Sequence, residues 1–379
     1  MLNTEIKYTY NDVTIVPCTI SDINSRSECN PYVNGRLPIF AAPMASVIGE
    51  ENIQTFIENN ITPIVPRTVN ISSRIKYMEQ GIWVAMSLNE FNDEFVKHAD
   101  KRTTNNNYNI CIDVANGHMK QIYDSAVMAK NCASTNNYTL TIMTGNIANP
   151  ETYEYICKIN AEISWVNNYK VIDYIRCGIG SGAVCITSPQ TGVHYPMASL
   201  IDECKQIKRH YRENTIPYIV ADGGIRNYGD INKALALGAD FVMVGTLFAG
   251  MLESAAPLYE KSFNELGNTE TTLINKKFDS EEDKRYFLNS YKKNTLFKEC
   301  FGMSTKKAQE QIKNDKKLKT SEGIQKLVPC TYTLKQWVEN MESYLRSAMS
   351  YCGCYNIDEF NTKANLIVVS DGVKNSVNK

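Results

Sequence analysis

Down the first two-thirds of the chain, short runs rich in β-branched residues alternate with segments whose apolar residues recur every three or four positions. No other feature constrains the fold as much. Strands are predicted near Pro38–Ala45, Ile61–Thr68, Gly81–Leu88, Asn107–Val114, Thr139–Gly145, Tyr169–Gly178, Pro217–Gly223 and Asp240–Thr246. Ile53, Phe56 and Ile57 follow the first at helical spacing; Ile231, Ala234, Leu235 and Ala236 follow the seventh. A strand followed by a crossover helix implies parallel pairing. Eight such units predict a closed (β/α)8 barrel in the α/β class. An open doubly wound sheet shares this periodicity, but it wants a glycine-rich dinucleotide turn after an early strand, and none occurs. With 379 residues, 43% of them hydrophobic, the chain is large enough to fill a barrel core.

Three regions interrupt the alternation. Asn105–Tyr108 and Asn131–Tyr138 are asparagine-rich and read as loops or helix ends. The stretch 262–298 is charge-dense with little apolar periodicity, and is expected to be a surface insertion or flap. Beyond it, Thr333-Leu334-Lys335-Gln336 forms a capping box. It opens a helix whose Leu334, Trp337, Met341, Leu345 and Ala348 share one face, with Gly353 as its stop. No gap between strands is long enough for a regulatory domain, so residues 1–379 read as one catalytic domain.

The charge balance, 40 basic against 41 acidic residues, gives no electrostatic reason to expect nucleic acid or an anionic membrane as partner. No apolar run approaches the roughly 20 residues of a spanning helix. The first residues lack a secretory pattern, and a cytoplasmic location is expected. The 12 cysteines are scattered rather than framed for disulfides. Cys352-Gly353-Cys354 is too tight for a CxxC pair and faces no second pair at zinc spacing, so no structural metal is expected. Most of the thiols read as small buried hydrophobes. The four histidines show no metal spacing either, and none is assigned to catalysis.

Four segments carry chemistry. Gly178-Ile179-Gly180-Ser181-Gly182-Ala183-Val184-Cys185-Ile186-Thr187 follows a predicted strand. Its loop therefore belongs at the C-terminal mouth of the barrel, where alternate glycines permit tight turns and close approach to a ligand. A cysteine there is a candidate nucleophile. From spacing alone, a structural glycine loop ending in a buried thiol is as good a reading. Ala221-Asp222-Gly223-Gly224 and Gly245-Thr246-Leu247-Phe248-Ala249-Gly250 end the seventh and eighth strands, the usual place for a phosphate site. Asp222 would repel phosphate and suits a sugar hydroxyl instead. Ile112-Asp113-Val114-Ala115-Asn116-Gly117-His118 ends the fourth strand; Asp113 there is placed to orient a cofactor or substrate, although Asn-Gly by itself is a turn.

Taken together, these motifs resemble the IMP dehydrogenase/GMP reductase family. The resemblance runs from Tyr10-Asn11-Asp12-Val13 to about Val369. It includes Ser25-Arg26-Ser27-Glu28, the glycine–cysteine loop, Thr191-Gly192-Val193, the run Ala221 to Gly250, and Arg346-Ser347-Ala348-Met349-Ser350-Tyr351-Cys352-Gly353. Three features are similar to the reductase branch: Asp113-Val114-Ala115-Asn116-Gly117; Phe301-Gly302-Met303-Ser304-Thr305; and the lack of an Arg-Tyr pair between Ser304 and Glu322. Arg285-Tyr286 precedes Gly302, out of register with the dehydrogenase flap.

The resemblance implies an NADPH-dependent oxidoreductase that converts GMP to IMP and ammonia. Cys185 is the implied nucleophile, with Thr187 and Glu322 as its proton relay. It also implies a nucleotide site of Ser181, Gly182, Asp222, Gly223, Gly224, Gly245, Thr246, Met303, Ser304, Lys319 and Gly323. The implied cofactor contacts are Arg67, Asp113, Asn116 and Gly117. Backbone carbonyls at Gly178, Gly180 and Cys185 can hold a monovalent cation such as K+ in the family, and family members are usually tetramers. A dehydrogenase acting on IMP with NAD, and an inactive nucleotide-binding protein, are the alternatives. Pro43-Met44-Ala45 and Pro66-Arg67 depart from the family's usual wording, and the chain carries extra residues near Ala161–Lys170.

Overall fold

The structure, a computed structural model, describes residues 4–167, 169–263, 269–292, 295–312 and 320–370. The first strand, β1 (Val13–Val16), lies outside the barrel and pairs antiparallel with the last, β14 (Asn365–Val368). Between them come β2 (Ile39–Ala41), β3 (Thr62–Val65), β4 (Trp83–Met86), β5 (Asn107–Asp113), β6 (Thr139–Ile147), β7 (Tyr174–Cys177), β8 (Tyr218–Asp222) and β9 (Phe241–Val244). These eight form a closed parallel barrel in chain order, and β9 returns to β2 in the register Ile39↔Val242 to Ala41↔Val244. The (β/α)8 expectation holds. Seven strands fall inside their predicted windows, and β6 runs two residues further, to Ile147.

Strand side chains alternate between two faces, and the barrel follows that rule closely. Phe40, Trp83, Ala85, Cys111, Val220 and Met243 pack together inside the barrel. Their neighbours Ile39, Ala41, Val84, Met86, Ile110, Ile112, Ile219, Ala221 and Val242 pack outward in the larger core under the helices. At the lower end of the lumen, Phe40, Trp83, Tyr174 and Phe241 meet at ring separations of 5.3 to 5.9 Å. Aromatic rings fill that end as a plug. Two residues further along the same inward rows stand Asp113 after Cys111, Arg176 after Tyr174, and Asp222 after Val220. The period of two thus brings three charged groups to the upper end of one lumen.

The stretch 262–298 is more than an appendage. It supplies part of an antiparallel sheet in the order β11-β10-β12-β13, made by β10 (Leu258–Phe263), β11 (Thr269–Ile274), β12 (Leu296–Phe301) and β13 (Gln325–Pro329). A helix, Glu281–Ser290, covers it. Leu252, Leu258, Phe287, Leu296 and Cys330 form a small core of its own. Apolar periodicity is weak there because β11 is an edge strand with exposed side chains. β12 is fastened to the barrel: Ser46 Oγ donates to the Phe301 carbonyl at 3.0 Å.

The Thr333 capping box is present and starts the helix Leu334–Tyr351, with Gly353 in the left-handed region just past its end. The asparagine-rich segments divide as a helix end and a strand start. Residues Asn131 to Thr135 finish the helix Lys120–Thr135, and Asn107 begins β5. The extra residues near Ala161–Lys170 fall on the second half of the helix Pro150–Asn167 and the turn after it. Among the described residues, no helix is long and apolar enough to cross a membrane.

Candidate active site

The ends of β2 to β8 open into a cavity of about 590 Å³, with Gly302, Met303, Ser304 and Glu322 from the small sheet forming its far wall. The glycine loop enters it directly from β7. Gly178 has φ +132°, and a Cβ there would sit 2.2 Å from the Asp222 carbonyl oxygen, so no side chain fits. Gly223, with φ +105°, lets β8 turn away against Ser181 in the same manner.

The loop then pairs with a segment 135 residues later. Cys185 and Gly323 form an isolated antiparallel bridge. The Ile186 N–H donates to the Glu322 carbonyl at 2.9 Å, and the Ile324 N–H donates to the Val184 carbonyl at 2.9 Å. This pairing fixes three side chains in a row. The Cys185 thiol donates to Thr187 Oγ1 at 3.2 Å, and the Thr187 hydroxyl donates to Glu322 Oε2 at 2.9 Å. Cys185 and Thr187 each have one proton to give and an acceptor in line, ending at the Glu322 carboxylate, so the row can move a proton from sulfur to carboxylate and back.

The other thiols lack this setting. Cys18, Cys132 and Cys185 are the partly exposed cysteines among the 12, and of these Cys185 lines the cavity. Burial pushes the thiols of Cys111, Cys157 and Cys330 up to about 12, which keeps them protonated and inert. Cys185 is therefore a partly exposed thiol, not a buried one, with a hydroxyl and a carboxylate in line.

Below the loop lies a charged floor. Arg176 reaches Asp113 Oδ1 at 2.9 Å through Nη1 and Asp222 Oδ2 at 2.9 Å through Nε and Nη2. Asn146 Nδ2 donates to the same Asp222 oxygen at 2.8 Å and to the Gly178 carbonyl at 2.8 Å. Neither Arg176 nor Asn146 was anticipated from sequence. The alternation Tyr174, Arg176 along an otherwise apolar strand is the signal that marks Arg176 as facing the lumen.

Of the expected nucleotide residues, Gly182, Asp222, Gly223, Met303 and Ser304 line the cavity. Ser181 and Gly224 stand behind that wall: the Gly224 N–H donates to the Ser181 carbonyl at 2.9 Å. Gly245 and Thr246 do not line it. Gly245 packs against Met44, its Cβ position 2.7 Å from the sulfur, and Thr246 neighbours Cys300 at 4.0 Å. Gly323 bridges Cys185, and Lys319 lies outside the described residues. Of the expected cofactor residues, Arg67 and Asp113 line the cavity. Asn116 instead caps the turn at the His118 N–H at 3.0 Å, and the Gly117 N–H donates to the Asn146 carbonyl at 2.9 Å. Gly178, Gly180 and Cys185 border the cavity, with the Gly178 carbonyl already accepting from Asn146. Arg285 pairs with Glu281 and Glu339 rather than reaching the site. Both departures from the family wording fall on the cavity wall, at Pro43, Met44 and Arg67.

Comparison with known proteins agrees with this arrangement. A family model described as the IMP dehydrogenase / GMP reductase domain matches residues 7–294 and 286–377. The chain is 28% identical over 378 residues to a GMP reductase of Staphylococcus epidermidis, covering 95% of this chain and 96% of that protein. It is 27% identical over 387 residues to a GMP reductase of Clostridium acetobutylicum, covering 98% of each. A GMP reductase of Bacillus thuringiensis subsp. konkukian is 28% identical over 383 residues, covering 97% of each. A closed (β/α)8 barrel, a glycine loop ending in an accessible cysteine, and a family match across nearly the whole length converge: the chain belongs to the IMP dehydrogenase / GMP reductase family of oxidoreductases.

Proposed function

We propose that this chain reduces GMP to IMP with release of ammonia, using NADPH and a covalent bond between Cys185 and purine C2. The observation that carries the reading is the row Cys185, Thr187, Glu322, at 3.2 and 2.9 Å, facing a cavity of nucleotide size. The thiol proton passes through Thr187 to Glu322, and the thiolate sulfur adds to C2. The bond from C2 to the exocyclic nitrogen then breaks, and the relay returns a proton to the departing ammonia. When bound, the cofactor supplies the hydride that C2 requires. The carbon–sulfur bond breaks in the last step, the electron pair returns to Cys185, and IMP is free.

Binding follows the same walls. Asp222 Oδ2 already takes Arg176 and Asn146, so its other oxygen is the acceptor for a sugar hydroxyl. Gly182 and Gly223 give phosphate a close approach to backbone, and Met303 and Ser304 lie along the base. Arg67 Nε is buried on the cavity's edge with no hydrogen bond, 3.8 Å from Glu90 Oε2, while Nη1 donates to the Asp113 carbonyl at 3.4 Å. A donor without a hydrogen bond suits an oxygen of the cofactor, with Asp113 beside it. The same reading carries a role in purine nucleotide salvage and a cytoplasmic homotetramer, the latter tested by light scattering.

The deciding experiment is a matrix of GMP and IMP against NADPH, NADP, NADH and NAD, on the intact chain and on Cys185→Ala. NADPH consumption with GMP, lost in Cys185→Ala, is expected. Steady NADH production from IMP would assign the dehydrogenase direction instead. Binding of GMP with no turnover under any cofactor would make the chain an inactive nucleotide binder.

A further inference from the structure

Arg176 is the cation on the cavity floor and touches neither the relay nor the glycine loop's backbone. Its side chain is 10% exposed, and its partners Asp113 and Asp222 are 13% and 16% exposed. Nη1 serves Asp113, while Nε and Nη2 serve Asp222, and Nη1 also lies 3.6 Å from the Cys111 sulfur. Burial opposes its charge, but Asp222 and Asp113 outweigh that and hold the guanidinium charged. One positive charge therefore serves two buried negative ones.

The guanidinium is a rigid planar fork, so it cannot turn toward one carboxylate without leaving the other. Asn146 also holds the Asp222 oxygen that Arg176 meets, which leaves the Asp113 arm as the adjustable one. In a buried network of this kind, the strength of each bond depends on its neighbours.

We propose that Arg176 is a positioning residue that couples nucleotide binding to cofactor binding, by holding Asp222 and Asp113 on one guanidinium. The proposal rests on the reading that Asp222 meets the nucleotide's sugar and Asp113 the cofactor. Its sign follows from charge. When Asp113 loses its charge, Arg176 draws closer to Asp222, whose oxygens become poorer acceptors for a sugar hydroxyl. The nucleotide then binds more weakly, although Asp113 does not touch it. By the same electrostatic route, removing charge from Asp222 is expected to weaken cofactor binding. Lysine at 176 keeps one positive charge but offers a point contact, which can serve one carboxylate at a time.

The test is calorimetric titration of GMP into the full chain without cofactor. It compares Asp113→Asn, Arg176→Lys and the double variant, with thermal melts to show that each folds. With Arg176 present, Asp113→Asn is expected to raise the GMP Kd about fivefold; in the Arg176→Lys background the same change should move it less than about twofold. An unchanged Kd in Asp113→Asn, or an equal change in both backgrounds, overturns the coupling. Because the readout is binding, it is separate from turnover: coupled binding without GMP reduction sinks the proposed function and leaves the coupling standing. If the wild-type chain binds neither GMP nor IMP, both fall.

Discussion

Glu322→Gln isolates the last step of the proton relay. Glutamine has the same shape, and its carbonyl oxygen still accepts from the Thr187 hydroxyl now held at 2.9 Å. The backbone bond from Ile186 to residue 322 does not depend on the side chain, so the bridge that aligns Cys185 stays in place. What disappears is the ability to take a proton. Thr187 can then pass nothing on, and the Cys185 proton has no destination inside the row. Positioned acid–base groups of this kind contribute about 10²- to 10⁴-fold to rate. A loss of at least about 100-fold in kcat is expected, which corresponds to about 2.7 kcal/mol of transition-state stabilisation. Glu322 lies across from the charged floor, so the GMP Kd should stay within about threefold of wild type, since interactions of separated sites add nearly independently. Stopped-flow measurement of NADPH oxidation gives kcat, and calorimetry gives Kd. A kcat within about tenfold of wild type would refute the relay; a Kd that collapses along with kcat would mean that Glu322 holds the nucleotide rather than moving protons.

Further predictions concern other parts of the molecule. Brief treatment with iodoacetamide should label Cys185, Cys18 and Cys132 ahead of the buried thiols; saturating GMP should protect Cys185 alone, as peptide mass mapping will show. Asn160 is fully buried and makes three backbone hydrogen bonds, to the Ile172 carbonyl and from the Val171 and Ile172 N–H groups. At about 1–3 kcal/mol for each buried group left unpaired, Asn160→Leu should lose at least about 3 kcal/mol in urea titration, and a smaller loss would mean that water reaches the site. Burial lowers Lys298 from an ordinary 10.5 to about 8, although its ammonium donates to the Ser254 and Ala256 carbonyls at 3.0 and 2.7 Å. Below pH 8 the buried charge costs the fold about 3 kcal/mol, and that cost fades as pH rises from 8 toward 10.5, where the unfolded chain still holds the proton. Wild type should therefore gain stability relative to Lys298→Met over that interval, and a flat difference would count against it.

The barrel was legible because its signal is repeated eight times, and each strand's two faces differ in what they touch. The same period of two places Arg176 in the lumen, but a single charged residue on an apolar strand does not name its partners. Asp222 is legible from its place after the seventh strand and Glu322 through the family's wording, but their partners depend on contacts across 46 and 135 residues that no local pattern encodes. Gly245 and Thr246 are a different case. Their position after the eighth strand suggested a phosphate loop, yet Met44 fills the space beside Gly245, and neither residue reaches the cavity wall. The small sheet was read as a charged insertion because its edge strand exposes both the polar residues and the gaps between them. Its core of Leu252, Leu258, Phe287, Leu296 and Cys330 is collected from five separate segments.

The bridge between Cys185 and Gly323 joins two parts of the molecule that need not come apart together. Cys185, the proposed nucleophile, and the charged floor belong to the barrel, whereas Glu322, the proposed proton acceptor, is delivered by the segment leading into β13. Two backbone hydrogen bonds, from Ile186 and from Ile324, hold it to the glycine loop beside the Thr187–Glu322 bond. Local opening at such a seam is far easier than global unfolding. As urea rises, turnover should therefore fail at a lower concentration than nucleotide binding, leaving a population that recognises its ligand but has lost the means to react with it.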